Sequence, residues 1–460
     1  MLTHLQIKNF KAWQDTGDIK LAPLTVIFGP NSSGKSSLGH FLLALKQTAL
    51  SADRNSALRL GDRYSLIDLG TFQDCLFGHD IDESLDFSLR WKLPKPMEIT
   101  DALKPTQKYG GEELALKVNL DTDSKGQPQT TAFTYQLLSE GQSKLEIIHK
   151  REKGKIELEC SPLSLVRATG RQWPLEPPEK FYRFADLSLS RYQNANFMVE
   201  FSLAVEHLLE NIYYLGPLRE PPRRMYSWSG DTPSDVGQNG EYTIPALLAA
   251  TAAKRKLNHG PKRHYHLFDQ FIATWLKDMG MIYSFDVAQL AAGRKDYEVL
   301  VRVNRNSPEV KLTDVGFGVS QVLPALVEAF YAPKNSVIWM EQPEIHLHPS
   351  VQANLADVFI SAIQASEDGI PRNVQLIVES HSEHLLTRLQ RRIAEGVISV
   401  NDVAIYFVQH GRAGAQIEPL TVNEYGEIAN WPENFFGNEL EEIGKRTLAA
   451  LQRKQQEFQA

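Results

Sequence analysis

Residues 29–36 read Gly29-Pro30-Asn31-Ser32-Ser33-Gly34-Lys35-Ser36, and Ser37 extends the run. The spacing is G-x-x-x-x-G-K-[ST], the pattern of a loop that wraps phosphate. An apolar, β-branched run, 24–28, precedes it, and a stretch with helical spacing, 37–46, follows. That strand–loop–helix context is what the chemistry needs. Glycines let backbone N–H groups surround the β- and γ-phosphates, and the helix N-terminus adds its dipole. Lys35 supplies a point charge, and the Ser36 hydroxyl is placed to ligate Mg²⁺. A Gly/Ser turn with a stray lysine would match the pattern by chance in roughly one or two chains in a hundred of this length. The loop predicts nucleotide binding.

Composition narrows the setting. The 460 residues are 42% hydrophobic and 23% charged, as in an ordinary globular protein. The length suits one large domain with an insertion, or about two or three units. Two cysteines, Cys75 and Cys160, make no disulfide framework, and no metal-ligand spacing surrounds them. A net charge of −7 argues against a surface generally coated for nucleic acid and leaves room only for a local basic track. No leader pattern and no apolar run long enough for a membrane span is read in the chain, so the expectation is a cytoplasmic protein without a membrane partner.

Residues 1–80 read as the first part of a core, with a strand pair near 5–7 and 19–21 leading into the phosphate loop. From 81 to 190 short alternating runs such as 87–91, 114–118 and 155–159 predict an antiparallel β lobe. Residues 191–290 read as a helical insertion, with helical spacing over 196–215 and 243–280 and a Pro- and Arg-rich elbow, 216–224, between them. In the first stretch the apolar positions are Leu203, Val205, Leu208 and Leu209. Strands return near 298–301, 337–340 and 374–378 within a second core part, 291–410, followed by a short extension, 411–460. No repeat and no sustained heptad is present, which argues against a long coiled coil.

Three further segments carry chemistry. Residues 337–349 read Val-Ile-Trp-Met-Glu-Gln-Pro-Glu-Ile-His-Leu-His-Pro, an apolar strand ending at Glu341. A strand-end acid is how phosphate-loop enzymes hold Mg²⁺ on the far side of the phosphates. His346 and His348, two apart on a loop, read as packing or hydrogen-bonding residues at a subunit contact in preference to metal ligands. Upstream, Asp314-Val315-Gly316-Phe317-Gly318-Val319-Ser320-Gln321 is a glycine-rich turn opening an apolar helix over 322–330, a second anion-binding terminus. Residues 378–382, Val-Glu-Ser-His-Ser, end a strand at His381.

Taken in order, these segments resemble ABC-type ATPases, and within them the AAA-15/AAA-21 group related to the OLD and RecF/SMC-like ATPases. The segments 29–37, 315–321, 341–349 and 379–384 carry the likeness. So do Asn423–Ile428, Trp431-Pro432 and Phe435–Gly437, which look like a DUF3696-type carboxyl-terminal region. The resemblance covers about 1–75 and 295–440, with Leu215–Arg219 as a weaker link between. It implies an α/β fold: an ABC-type phosphate-loop ATPase head with an antiparallel β lobe and a helical insertion. It implies ATP and Mg²⁺ as cofactors. Gly29, Pro30, Asn31, Ser32, Ser33, Gly34, Lys35, Ser36 and Ser37 would then bind nucleotide. Ser36 and Glu341 would hold Mg²⁺, with Gln73 as a Mg²⁺- and water-sensing glutamine. His381 would contact the γ-phosphate. Gly316, Gly318 and Ser320 would close on the nucleotide of a second subunit, so that ATP drives a homodimer or higher homo-oligomer.

One position departs from the wider ABC pattern. Where most relatives place a glutamate base after the Mg²⁺ acid, this chain has Gln342, and an amide orients water without taking its proton. Either Gln342 orients water for slow turnover, or Glu344 reaches in as the base. Past His381 no nuclease or metal-thiolate pattern appears, which assigns further chemistry to a partner. Stand-alone ATPases of this kind resemble the ATPase subunits of two-component anti-phage systems such as PARIS or Septu, which hold an effector nuclease or toxin. The rival is a RecF-like DNA-maintenance ATPase, for which Lys254-Arg255-Lys256 and Lys262-Arg263-His264 offer a basic patch on duplex DNA. A transporter cassette fits neither the length nor the signature.

Overall fold

Five largely apolar segments lie side by side as parallel strands, because both faces of their sheet are covered. The structure is a computed structural model that describes every residue except 153, 261–262, 413, 433–434, 436–444 and 450–460. Its first half contains β1 (Leu2–Phe10), β2 (Trp13–Asp15), β3 (Ile19–Lys20), β4 (Leu24–Phe28) and α1 (Lys35–Leu50). Then come β5 (Leu85–Asp101), β6 (Lys104–Thr122), β7 (Pro128–Ser139), β8 (Gln142–Glu152) and β9 (Lys155–Ser161). The middle holds α2 (Met198–Glu210), β10 (Ile212–Leu215), α3 (Thr243–Ala252), α4 (Phe268–Asp278), β11 (Ser284–Gln289) and β12 (Asp296–Arg302). The last part holds α5 (Phe317–Tyr331), β13 (Val337–Glu341), α6 (Pro349–Gln364), β14 (Gln375–Glu379), α7 (Glu383–Ala394), β15 (Val403–Gly411) and β16 (Gly414–Pro419).

The central sheet runs β10-β13-β14-β4-β15-β16, all parallel until β16 turns back antiparallel. Alternate residues of its strands feed two separate cores. Leu24, Val26, Ile338, Met340, Leu376 and Val378 face α3–α7 on one side. Ile27, Val337, Trp339 and Ile377 face the other side, where α1, α2 and the antiparallel lobe lie. Helix α1 sits so close to β13 that a Cβ on Gly39 would fall 2.5 Å from the Trp339 ring, so this crossing requires glycine.

The antiparallel lobe is the sheet β2-β1-β5-β6-β7-β8-β9, with β3 on β1. The alternation over 87–91, 114–118 and 155–159 lies in β5, β6 and β9. The amino-terminal strands thus join this lobe before the chain enters the central sheet. The region 191–290 is more interleaved with the core than a helical insertion would be. Residues 212–215 form the edge strand β10, parallel to β13, while 256–258 and 265–267 form short strands between α3 and α4. In α2, Val205, Leu208 and Leu209 are buried and Leu203 is exposed. The helix expected over 322–330 begins earlier, at Phe317, and the strand expected over 374–378 is shifted by one residue. No helix among the described residues is long and apolar enough to cross a membrane.

Candidate functional site

The phosphate loop lies at the carboxyl ends of β4, β14 and β13, where parallel α/β sheets place their ligands. Gly29, with φ 147°, opens it, and a Cβ there would strike the Val408 carbonyl oxygen at 2.1 Å. Ser32 and Gly34 also have positive φ. Gly34 leads into α1 and is pinned from behind, where Trp13 Nε1 donates to its carbonyl at 3.1 Å and to Ser37 Oγ at 2.9 Å. Pro30, Asn31 and Ser32 are exposed at the loop's crest, while Ser33 is buried with its hydroxyl unpartnered.

Lys35 is folded back over the loop. Its Nζ donates to the Gly29 and Pro30 carbonyls at 3.0 and 2.7 Å and lies 3.9 Å from Glu379. Burial lowers its pKa, and Glu379, Glu341 and Glu344 oppose that shift. The lysine thus lies inside the loop on two carbonyl partners that a phosphate can replace.

Glu379 is the residue that the sequence reading passed over. The Ser36 hydroxyl donates to its carboxylate, at 3.0 and 2.9 Å from the two oxygens. Burial first, and then the neighbouring Glu341, raise the Glu379 carboxyl to about 7. Glu341, expected beside Ser36, stands one strand further out. It accepts from the Tyr214 hydroxyl at 2.8 Å and lies 3.4 Å from His40 Nε2. The two glutamates end adjacent strands in direct register. The available signal was that both are apolar-strand-end acids; nothing local distinguishes them.

Gln342 has φ 45°, sparsely populated for a residue with a side chain, and its N–H donates to the Glu379 carbonyl at 2.8 Å. Glu344 is buried with one oxygen accepting from Ser380 Oγ and from the His381 N–H, at 2.8 and 2.6 Å. Its other oxygen has no partner, and burial raises its pKa. His381 Nε2 is likewise unpartnered, and burial, with Lys35 nearby, holds the ring down at about 4, so it is neutral at pH 7. Arg219, at the end of the 215–219 segment, is buried, donates to the Glu341 carbonyl at 3.4 Å and leaves Nε and Nη1 unpartnered. Burial lowers it to about 10.

Several expected residues lie elsewhere. Gln73, on the single turn Phe72–Cys75, donates its amide to the His79 carbonyl at 3.3 Å and makes no hydrogen bond to the phosphate loop. Gly316 and Ser320 stand at the amino end of α5, where Phe317 is 66% exposed and Ser320 Oγ donates to the Phe317 carbonyl. A Cβ on Gly316 would meet nothing within 4 Å, and one on Gly318 would touch Met281 and Leu347. The structure therefore presents this turn outward and does not join it to its own chain's loop. His348, read as a packing or hydrogen-bonding residue at a subunit contact, caps α6, accepting from the Ser350 N–H at 3.3 Å, and is exposed. His346 is exposed. In the basic patch, Arg255 is turned inward onto Glu367 at 2.7 Å and onto the Tyr331 and Phe330 carbonyls at the end of α5. Lys262 lies outside the described residues.

The donor set suits a nucleotide. The Ser33 hydroxyl, His381 Nε2 and two Arg219 nitrogens are buried without partners, hydrogen-bonding capacity that phosphate oxygens would satisfy, and buried polar atoms rarely stay unpaired. Among the described residues no group of three His, Cys, Asp or Glu could hold a metal ion alone. Mg²⁺ in phosphate-loop sites needs no such cage, since it takes most ligands from phosphates and water. Ser36, Glu379 and Glu341 are the groups here that would face it.

A family model described as "AAA domain, putative AbiEii toxin, Type IV TA system" (AAA_21) matches residues 24–387. One described as "Protein of unknown function (DUF3696)" matches residues 398–445. No curated protein matches. Among solved structures, the chain is similar to an SMC head bound to the C-terminal winged-helix domain of ScpA, at 11% identity and TM-score 0.44, covering 91% of this chain and 98% of that one. It is also similar to the SMC head domain from Thermotoga maritima, at 12% identity and TM-score 0.40, covering 92% and 99%. With the match spanning most of its length, the chain belongs to the AAA_21 family and is an ATPase.

Proposed function

We propose that the chain binds ATP–Mg²⁺ at the phosphate loop, hydrolyses it slowly and closes head-to-head on a second copy. In that state it would act as sensor and regulatory subunit for a separate effector, a nuclease or toxin, in bacterial anti-phage defence. The observation that carries this reading is Gln342, an amide strained into place beside Glu341 and Glu379 where a base would speed turnover. A slow ATPase suits a latch better than a motor. The outward-facing turn at Gly316–Gly318 supports dimerisation, although Ser320 itself is buried. The family model's description, which names a Type IV toxin–antitoxin system, supports a place in a two-component system. The DNA-maintenance reading loses its central cation, since Arg255 is engaged by Glu367.

The test is molar mass by light scattering at micromolar protein, with and without ATP–Mg²⁺, beside Lys35→Ala. The expected result is a nucleotide-dependent doubling or higher assembly in the wild type. The lysine variant should bind no nucleotide and stay a monomer. A wild-type monomer under every nucleotide condition would overturn the dimer reading.

A further inference from the structure

Two glutamates end adjacent strands at this site, and they are placed unequally toward the phosphate loop. Glu379 is in register with Ile27 of β4, the strand that feeds the loop, whereas Glu341 lies one strand beyond it. Strands are spaced about 4.8 Å apart, so Glu341 starts roughly 10 Å to the side of β4. Tyr214 and His40 both address one and the same Glu341 oxygen, Oε1, His40 reaching it from α1, the helix that follows the loop.

The Ser36 hydroxyl, by contrast, sits between the two oxygens of Glu379 at 3.0 and 2.9 Å. Adjacent ligands of an octahedral Mg²⁺ with bonds of about 2.1 Å are themselves about 3 Å apart. The serine and glutamate oxygens therefore already stand at the separation that two neighbouring ligands of one ion require. Glu379 is also buried, with Lys35 its nearest cation at 3.9 Å, and Glu341 adds a second carboxylate alongside. A divalent cation balances this local excess of acid.

We propose that Glu379, with the Ser36 hydroxyl, is the carboxylate that takes the divalent cation delivered with the nucleotide, and that Glu341 stands behind it as a positioning residue. This rests on the reading of the loop as an ATP site. Glu379 then plays two parts in turn. Without metal it holds the Ser36 hydroxyl in place, and with metal it would serve as a ligand instead of a hydrogen-bond acceptor. Glu341, held by Tyr214 and His40, fixes the end of β13 and with it the Gln342 turn.

The test measures metal-dependent nucleotide binding, not turnover. Fluorescent ADP is titrated into full-length wild type, Glu379→Gln and Glu341→Gln, in EDTA and in Mg²⁺. Mn²⁺ binding in the presence of ADP is followed by electron paramagnetic resonance. In EDTA all three should bind ADP within about threefold of one another, because the lysine and loop amides are intact. The gain in affinity from metal should be lost in Glu379→Gln, and the drop in Mn²⁺ affinity should exceed that of Glu341→Gln by about tenfold or more. Glu379→Asp, which keeps the charge on a shorter arm, should recover part of the gain. The same thermal melting as wild type checks that each variant is folded; should Glu379→Gln not fold, the aspartate variant carries the comparison. Loss of the gain in Glu341→Gln with retention in the Glu379 variants would overturn the proposal, as would equal losses in both. Failure of the wild type to bind ADP in EDTA and in Mg²⁺ would instead refute the ATP-site reading.

Discussion

Glu328 lies in the middle of α5, the helix that carries the glycine-rich turn at its exposed end, and it is fully buried. One oxygen accepts from the Val236 N–H at 3.0 Å and the other has no partner among the described residues. Burial, joined by the nearby Asp235, raises its carboxyl from 4.5 to about 8, with the Val236 N–H first and then Lys46 and Arg372 opposing the shift. At pH 7 the folded chain keeps Glu328 protonated, while the unfolded chain ionises it. A raised folded value means that its stability contribution is fully present below about pH 4.5 and is lost as pH rises through about 8. At about 1.4 kcal/mol per pH unit, roughly 3 kcal/mol is gone by pH 7 and on the order of 5 kcal/mol above pH 8. Glu328→Gln keeps an oxygen for the Val236 N–H and cannot ionise. Its extra amide N–H, if unpaired, costs about 1–2 kcal/mol. The variant should therefore be slightly less stable than wild type at pH 5 and more stable by about 1–2 kcal/mol at pH 7. Urea unfolding at pH 5, 6, 7 and 8 reads this directly. A stability difference between variant and wild type that does not change with pH would refute the assignment of a buried, protonated glutamate.

The division of labour at the catalytic turn is testable by single-turnover ATP hydrolysis. Gln342→Glu should raise the rate by about 10²-fold or more if a missing base limits it, whereas Glu344→Gln should stop turnover if Glu344 is the base. Fast wild-type hydrolysis that survives Glu344→Gln would defeat both versions. Lys254 and Lys256 are exposed members of the basic patch that flank Arg255, so reversing both to Glu leaves the half-buried Arg255–Glu367 pair intact. Duplex DNA binding, if it occurs there, should weaken and lose about two units from the slope of log affinity against log salt. Unchanged binding and slope would exclude DNA from this face.

The phosphate loop was legible in eight residues because its requirements are local. The positive φ angles at Gly29 and Gly34, the charge of Lys35 and the start of α1 depend only on neighbours in the chain. The central strands were legible for a similar reason, since burial on both faces writes itself as an unbroken apolar run, as in 24–28 and 337–341. The antiparallel lobe announced itself by alternation. What stayed hidden was which strands become neighbours. Residues 212–215 read as the tail of a helix, yet pairing with β13 across more than a hundred residues makes them the edge of the central sheet. Arg255 read as part of a DNA-facing basic patch, yet the fold brings Glu367 to it. Glu341 and Glu379 have the same local signature, an acid at the end of an apolar strand. Only the order β13-β14-β4, set by long crossover connections and invisible to any local window, decides that Glu379 meets Ser36 and Glu341 meets Tyr214.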